Sequence, residues 1–241
     1  DAGFSAFEYN GLPRHTMAEI EQFRKVRDSL KLSMGTMVVN RGGWRPPALG
    51  DRGGHATFFE DVKKAVEIHK VMENEVATVT SGLAVPNVSF EQQTNAAVDA
   101  LKRAAEMCEK TKLVLVLEPL NHKVDHAGYF VVYSEHAAEI IGRTNHPQVK
   151  ILFDMYHQQI SEGNIINHIR QYYSLIGYFQ TGDNPGRKEP YTGEMNYQNI
   201  FKAIHALGYK GLIGCEHGMS QPGMEGFKKV TAAYRQADSW T

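Results

Sequence analysis

Three acidic side chains and one carboxamide follow four successive apolar runs in the second half of the chain. They are Glu118 after LVLVL, Asp154 after KILF, Gln180 after LIGYF and Glu216 after LIGC. Oxygen ligands of this kind suit a hard divalent cation, so we expect the four side chains to hold Mg²⁺, Mn²⁺ or Co²⁺. Two glutamates beside such an ion could move a proton to and from a carbon next to a carbonyl, while the ion holds the enediolate.

The elements that must position these residues are short apolar runs alternating with helical patterns. Runs of four to six apolar residues predict strands that are buried on both faces. We predict seven strands, at residues 4–9, 34–39, 76–81, 113–117, 150–153, 175–179 and 212–215. We predict seven helices, at 16–30, 58–72, 90–110, 134–144, 159–173, 197–207 and 224–236, the first with Thr16 and Glu19 at the spacing of a capping box.

Alternating strands and helices predict parallel strands joined by right-handed crossovers. We expect one α/β domain over residues 1–241, a (βα)8 TIM barrel. Because the chain begins in the middle of a unit, with Asp1-Ala2-Gly3 typical of a helix end, we expect the first strand and most of the first helix to be missing from it. The alternative is an open doubly wound sheet, but the glycine-rich fingerprint expected after its first strand is absent.

Composition narrows the range of partners. The chain has 241 residues, is 42% hydrophobic and 22% charged, and carries a formal net charge of −1, so no basic field favours nucleic acid or an anionic membrane. No apolar stretch reaches the roughly 18 residues of a membrane span. Cys108 and Cys215 do not form a disulfide framework, which makes a reduced, cytoplasmic location the default expectation. Because we expect a segment to be missing before Asp1, the location stays open, and the sequence leaves open whether the chain forms a homo-oligomer.

Four segments carry a family resemblance. LEPLNH, FDMYHQQ, FQTGDNPGRKEPYTGEMNY and GCEHG resemble the hydroxypyruvate isomerase family, which belongs to the xylose isomerase-like barrels alongside the ketose 3-epimerases. The resemblance implies that Glu118 and Glu216 are catalytic and also bind metal, and that Asp154 and Gln180 complete the metal shell. It further implies that the substrate, a small sugar or hydroxy-ketone, contacts His157 and Arg187. Glu8, at the end of an early strand, is a further substrate-binding candidate.

Two departures from the epimerase pattern favour an isomerase. Gln180 stands where ketose 3-epimerases usually have His, and Val124 and Asp125 stand where they have a substrate-binding glutamate. A ketose 3-epimerase, a sugar or inositol dehydratase, and a non-catalytic sugar-binding barrel remain alternatives, while an endonuclease is disfavoured by the lack of a basic surface.

Other polar residues near the same strand ends have structural interpretations. We expect Asp183 to brace Arg187 or a metal-bound water. His122 and His126 flank a turn before Gly128 and could line the mouth of the barrel, but we expect them to have surface or loop-structuring roles. The loop at 40–56, which carries Trp44 and Pro47, is long enough to be a functional lid.

Overall fold

The computed structural model describes residues 3–46 and 49–240, so Asp1, Ala2 and Pro47 lie outside the described residues. Strands and helices alternate along this range as the sequence predicts. The strands are β1 (Ala6–Phe7), β2 (Ser33–Met34), β3 (Val76–Thr80), β4 (Val114–Glu118), β5 (Val149–Asp154), β6 (Ile176–Thr181) and β7 (Ile213–Cys215). The α-helices are α1 (Met17–Ser29), α2 (His55–Met72), α3 (Phe90–Cys108), α4 (Ser134–Thr144), α5 (Met155–Ser161), α6 (Ile165–Tyr172), α7 (Tyr197–Ala206) and α8 (Gly223–Ala237).

All the described strands are parallel and follow one another in chain order. β1 pairs with β2, and β3 to β7 form a five-stranded sheet. An isolated parallel bridge between Val38 and Thr78 joins the two groups. Among the described residues, no backbone bridge joins β1 to β7, but Glu8 packs against Gly214, which follows Ile213 in β7. The side chain that follows β1 therefore contacts β7 at the carboxyl ends of the strands, while the backbones of β1 and β7 stay apart among the described residues.

Alternation along the strands separates an inner layer from an outer one. Val116, Leu152 and Tyr178 pack together with Val76 in a small buried cluster of their own. Their chain neighbours, such as Phe153 and Phe179, belong to the main core, which also contains helix residues such as Ile140. Side chains two positions apart in a strand share a face. The residues two positions after Val116, Leu152 and Tyr178 therefore also face inward. Those residues are Glu118, Asp154 and Gln180.

Some predicted boundaries differ from the observed ones. The helix predicted at 159–173 is wrong as a single element, because it is two helices separated by a turn in which Gly163 and Asn164 have φ of 67° and 52°. That left-handed geometry ends a helix, and Gly and Asn adopt it most readily. The capping box of Thr16 and Glu19 is confirmed. Among the described helices, none combines the length and the apolar character that crossing a membrane demands.

Candidate active site

Four side chains converge at the carboxyl ends of the central strands. Ligand atoms of Glu118, Asp154, His157 and Glu216 all lie within 4.8 Å of one another. Asp154 and Gln180 are direct partners in the register of β5 and β6, so the amide of Gln180 enters the same layer. Glu118, Asp154, His157 and Gln180 are each no more than 6% exposed, whereas the Glu216 side chain is 28% exposed, so the cluster is buried on one side and open to solvent at Glu216.

Asp154 connects the strand to the helix that follows it. Its Oδ1 accepts a hydrogen bond from the backbone N–H of Tyr156 at 2.9 Å, which caps α5. Its Oδ2 accepts a hydrogen bond from Nη2 of Arg187 at 3.1 Å. Burial raises the pKa of Asp154 to about 7 although Arg187 opposes the rise, and the nearby Glu216 carboxylate raises it further.

Glu216 is held from two sides. Its Oε1 accepts a hydrogen bond from Nδ2 of Asn10, and its Oε2 accepts one from Nη2 of Arg187, each at 2.5 Å. Nε of the same arginine donates to the backbone carbonyl of Glu216 at 3.1 Å. Arg187 therefore lies between two members of the cluster and neutralises part of its charge.

Glu118 has an oxygen without a partner. Its Oε1 is buried and accepts no hydrogen bond from the described residues. Burial raises the pKa of Glu118 well above its usual range, and the carboxylates of Glu216 and Asp154 raise it further. A buried acid that repels its neighbours needs a positive partner, and Arg187 alone does not balance the acids around it.

Gln180 has a similar unsatisfied oxygen. Its Nε2 donates to Oε2 of Glu8 at 3.0 Å, while its own Oε1 is buried and has no partner among the described residues. Oε1 of Glu8 accepts a hydrogen bond from the Tyr178 hydroxyl at 2.6 Å. Burial raises the pKa of Glu8 to about 7, although the hydrogen bonds from Tyr178 and Gln180 favour its charged form.

The neighbours of His157 determine which ring nitrogen carries its proton. The backbone N–H groups of Val124 and Asp125 donate to Oδ1 of Asn121, so the amide nitrogen of Asn121 faces Nδ1 of His157 at 2.7 Å. Nδ1 is therefore the acceptor, and Nε2 carries the hydrogen. That Nε2 lies 3.5 Å from Oδ2 of Asp154. Burial lowers the pKa of His157 well below its usual range, which leaves a neutral ring that donates into the cluster.

These donors fit a hard divalent cation. Three carboxylates repel one another, and two buried oxygens, on Glu118 and Gln180, have no partner among the described residues. His157 belongs to the cluster by distance, but in this tautomer its Nε2–H cannot donate an electron pair to a metal. Carboxylate and amide oxygens are the ligands that Mg²⁺ and Mn²⁺ prefer. The donor set supports Gln180, rather than His157, as the fourth ligand.

Asp183 organises the loop that carries Arg187. It is fully buried, and its carboxylate accepts hydrogen bonds from four backbone N–H groups. These belong to Asn184, Thr192, Gly193 and Met195, at 2.9 to 3.1 Å. The backbone carbonyl of Asp183 accepts the N–H of Arg187 at 2.9 Å. The predicted bracing of Arg187 is thus present, and it acts through the backbone of the loop.

Two neighbours of the cluster were not predicted as site residues. Asn10 reaches Glu216 from the loop after β1, and nothing in its local sequence distinguishes it from other loop residues. His126, which we expected to structure its loop, lies with its ring centroid 5.2 Å from that of His157 and 4.8 Å from that of Trp44. Its Nδ1 is buried without a partner among the described residues. The sequence feature that could have identified His126 as a site neighbour is its position in the loop after β4, two residues before Gly128.

The chain is similar in sequence to a known protein family and to two isomerases. A sequence profile described as xylose isomerase-like TIM barrel matches residues 1–237. Hydroxypyruvate isomerase from Escherichia coli (strain K12) is 34% identical over 205 residues, which are 83% of this chain and 78% of that protein. The 2-oxo-tetronate isomerase from Cupriavidus necator is 29% identical over 221 residues, which are 89% of this chain and 82% of that protein.

Solved structures agree on the architecture. AP endonuclease, family 2, from Brucella melitensis superposes with a TM-score of 0.86 at 21% identity, covering 98% of this chain and 88% of that chain. The 3-keto-D-glucoside 4-epimerase from E. coli superposes with a TM-score of 0.81 at 20% identity, covering 98% and 89%. At these identities the likeness concerns the fold alone, and the predicted fold class is confirmed.

Proposed function

Because this chain belongs to the xylose isomerase-like TIM barrel family, we propose that it is a metal-dependent isomerase of a small hydroxy-ketone or sugar, of the hydroxypyruvate isomerase type. The two isomerase relatives support an isomerase of sugar-like substrates. The observation that carries the finer proposal is the cluster of three carboxylates with ligand atoms within 4.8 Å of one another. Two buried oxygens, on Glu118 and Gln180, have no partner in the described part of the chain, and they support the metal.

In this proposal the metal ligands are Glu118, Asp154, Gln180 and Glu216. When bound, a divalent cation would supply a Lewis acid that polarises the substrate carbonyl. Arg187, which bonds to both Asp154 and Glu216, is close enough to contact substrate oxygens as well. The neutral His157 offers its Nε2–H to a substrate oxygen, and burial keeps the ring in that state.

The two glutamates carry the proton transfer. One removes a proton from the hydroxyl-bearing carbon, and the other assists the return of a proton to the neighbouring carbonyl carbon. The hydroxyl proton moves to the former carbonyl oxygen, so the product is an isomer and no atom is lost. Burial raises the pKa of Glu118, which makes its carboxylate a stronger base than that of an exposed glutamate. Which glutamate acts first depends on the face that the substrate presents.

The test is deuterium exchange in hydroxypyruvate. The protein is loaded with Mg²⁺, Mn²⁺ or Co²⁺ and incubated with hydroxypyruvate in deuterated water, and exchange at carbon is followed by NMR. We expect Glu118→Gln and Glu216→Gln each to reduce exchange and turnover by about 10²- to 10⁴-fold, the usual contribution of a general acid or base.

The matched control is Glu67→Gln, which makes the same chemical change on an exposed glutamate of α2 that pairs with Lys70. This control should exchange as the unmodified protein does. If both active-site variants kept full turnover in a protein that is active to begin with, the assignment of Glu118 and Glu216 would be wrong.

A further inference from the structure

Glu8 directly follows β1 and is half-buried, and each of its carboxylate oxygens already accepts a hydrogen bond. The donors are the hydroxyl of Tyr178 at 2.6 Å and Nε2 of Gln180 at 3.0 Å. Both donors belong to β6, and they stand two positions apart on its inner face. Glu8 is therefore engaged by the strand that carries one of the proposed metal ligands, although the chain separates the two by more than 160 residues.

The barrel wall leaves space for this side chain. A Cβ atom at Gly214 would lie 1.9 Å from Oε1 of Glu8, and one at Gly35 would lie 2.4 Å from the hydroxyl oxygen of Tyr178. Neither glycine has a positive φ, so backbone conformation does not require glycine there. The need at both positions is room for the pair formed by Glu8 and Tyr178.

The contact with Glu8 determines which way the amide of Gln180 faces. A carboxylate only accepts hydrogen bonds, so the amide nitrogen turns toward Glu8 and the amide oxygen turns away. That oxygen is buried without a partner among the described residues. In the reverse orientation the oxygen would face a carboxylate, and the nitrogen would face the position that needs an electron-pair donor.

We propose that Glu8 is a positioning residue that fixes the amide of Gln180 with its oxygen available to the metal. This inference rests on the metal site proposed above, and it replaces the substrate contact that the sequence suggests for Glu8. Residues that orient a metal ligand through a hydrogen bond typically affect metal affinity by about 10- to 100-fold. Glu8 would therefore act on affinity for the ion, through Gln180, without touching substrate.

The experiment measures Mn²⁺ affinity of chelator-treated protein by isothermal titration calorimetry, with the EPR signal of free Mn²⁺ as a second readout. All variants carry Tyr178→Phe, so that removing the Glu8 carboxylate does not leave the buried tyrosine hydroxyl unpaired. Glu8→Met is close to Glu in volume but has no oxygen acceptor, whereas Glu8→Gln keeps one. We expect Glu8→Met to weaken Mn²⁺ binding by about 10- to 100-fold. Glu8→Gln should stay within about threefold, because its oxygen still accepts from the amide of Gln180.

A double-mutant cycle shows whether the effect passes through Gln180. In a Gln180→Ala background, Glu8→Met should change the affinity by less than about twofold, since there is no amide left to orient. Full affinity in the Glu8→Met variant, or the same loss with and without Gln180, would overturn the inference while leaving the metal site intact. Failure of the unmodified protein to bind Mn²⁺ would overturn the proposed function and this inference together.

Discussion

Asp183 offers the sharpest test of how the Arg187 loop is built. Its two oxygens each accept two backbone N–H groups, from Asn184 and Met195 on Oδ1 and from Thr192 and Gly193 on Oδ2. In Asp183→Asn, one oxygen is replaced by an NH₂ group. Whichever way the new amide faces, two of the four backbone donors lose their acceptor.

The expected loss of stability in Asp183→Asn follows from the two backbone N–H groups that lose their acceptor. A buried donor left without a partner costs about 1–3 kcal/mol, so two of them destabilise the closed loop by roughly 2–6 kcal/mol. We expect a loss of unfolding free energy in this range, unless the loop opens locally at a lower cost. Urea denaturation followed by circular dichroism measures the free energy of unfolding. Hydrogen exchange at the amides of Thr192, Gly193 and Met195 shows whether the loop has opened.

Asp99→Asn is the control, because it makes the same change on an aspartate that is 54% exposed and paired with Arg52. An exposed ion pair contributes at most about 1 kcal/mol, so this variant should unfold almost as the unmodified protein does. If the free energy of unfolding of Asp183→Asn also fell by less than about 1 kcal/mol and its loop amides stayed protected, the four hydrogen bonds to Asp183 would not be what stabilises the Arg187 loop.

The remaining predictions concern pH and backbone geometry. Burial raises the pKa of both Asp154 and Glu8 to about 7 in the folded protein, so the metal-free protein should lose stability as pH rises from about 4 to about 7. Because a cation binds the ionised carboxylates, the difference in Tm between the Mn²⁺-loaded and chelator-treated protein should widen from pH 5 to pH 8, and a constant difference would contradict this. Gly163→Ala should destabilise by about 1 kcal/mol because φ there is +67°, whereas Gly142→Ala, on an open face of α4, should stabilise by about 0.5–1 kcal/mol. Equal effects of the two substitutions in urea denaturation would show that φ is not the cause.

The sequence was informative about the site where local patterns determine position. Asp154 and Gln180 are brought together because each ends an apolar run and their strands pair in parallel, so that the two residues become direct partners. Side-chain alternation then turns both toward the same layer as Glu118. Every step of that prediction depends on residues within one strand or in adjacent strands.

The features that the sequence did not predict depend on contacts distant in the chain or on single backbone angles. Asn10 contacts Glu216 across 206 positions, and Tyr178 contacts Glu8 across 170, so no local pattern identifies either pair. The break between α5 and α6 depends on left-handed geometry at Gly163 and Asn164, while apolar residues continue at helical spacing on both sides. The first predicted strand shortens to Ala6–Phe7 because only those residues are paired with β2.

The side chains that brace the cluster from β1 and the loop after it have a consequence for folding. The proposed ligands all come from β4 to β7 and the residue that follows, whereas Glu8 and Asn10, which hold Gln180 and Glu216, come from the beginning of the chain. A partly folded chain with only the five-stranded sheet would have the ligands without the residues that orient them. Tight ion binding would thus begin only when β1 and the loop after it have packed against the five-stranded sheet, and a metal-sensitive signal during refolding would time that step.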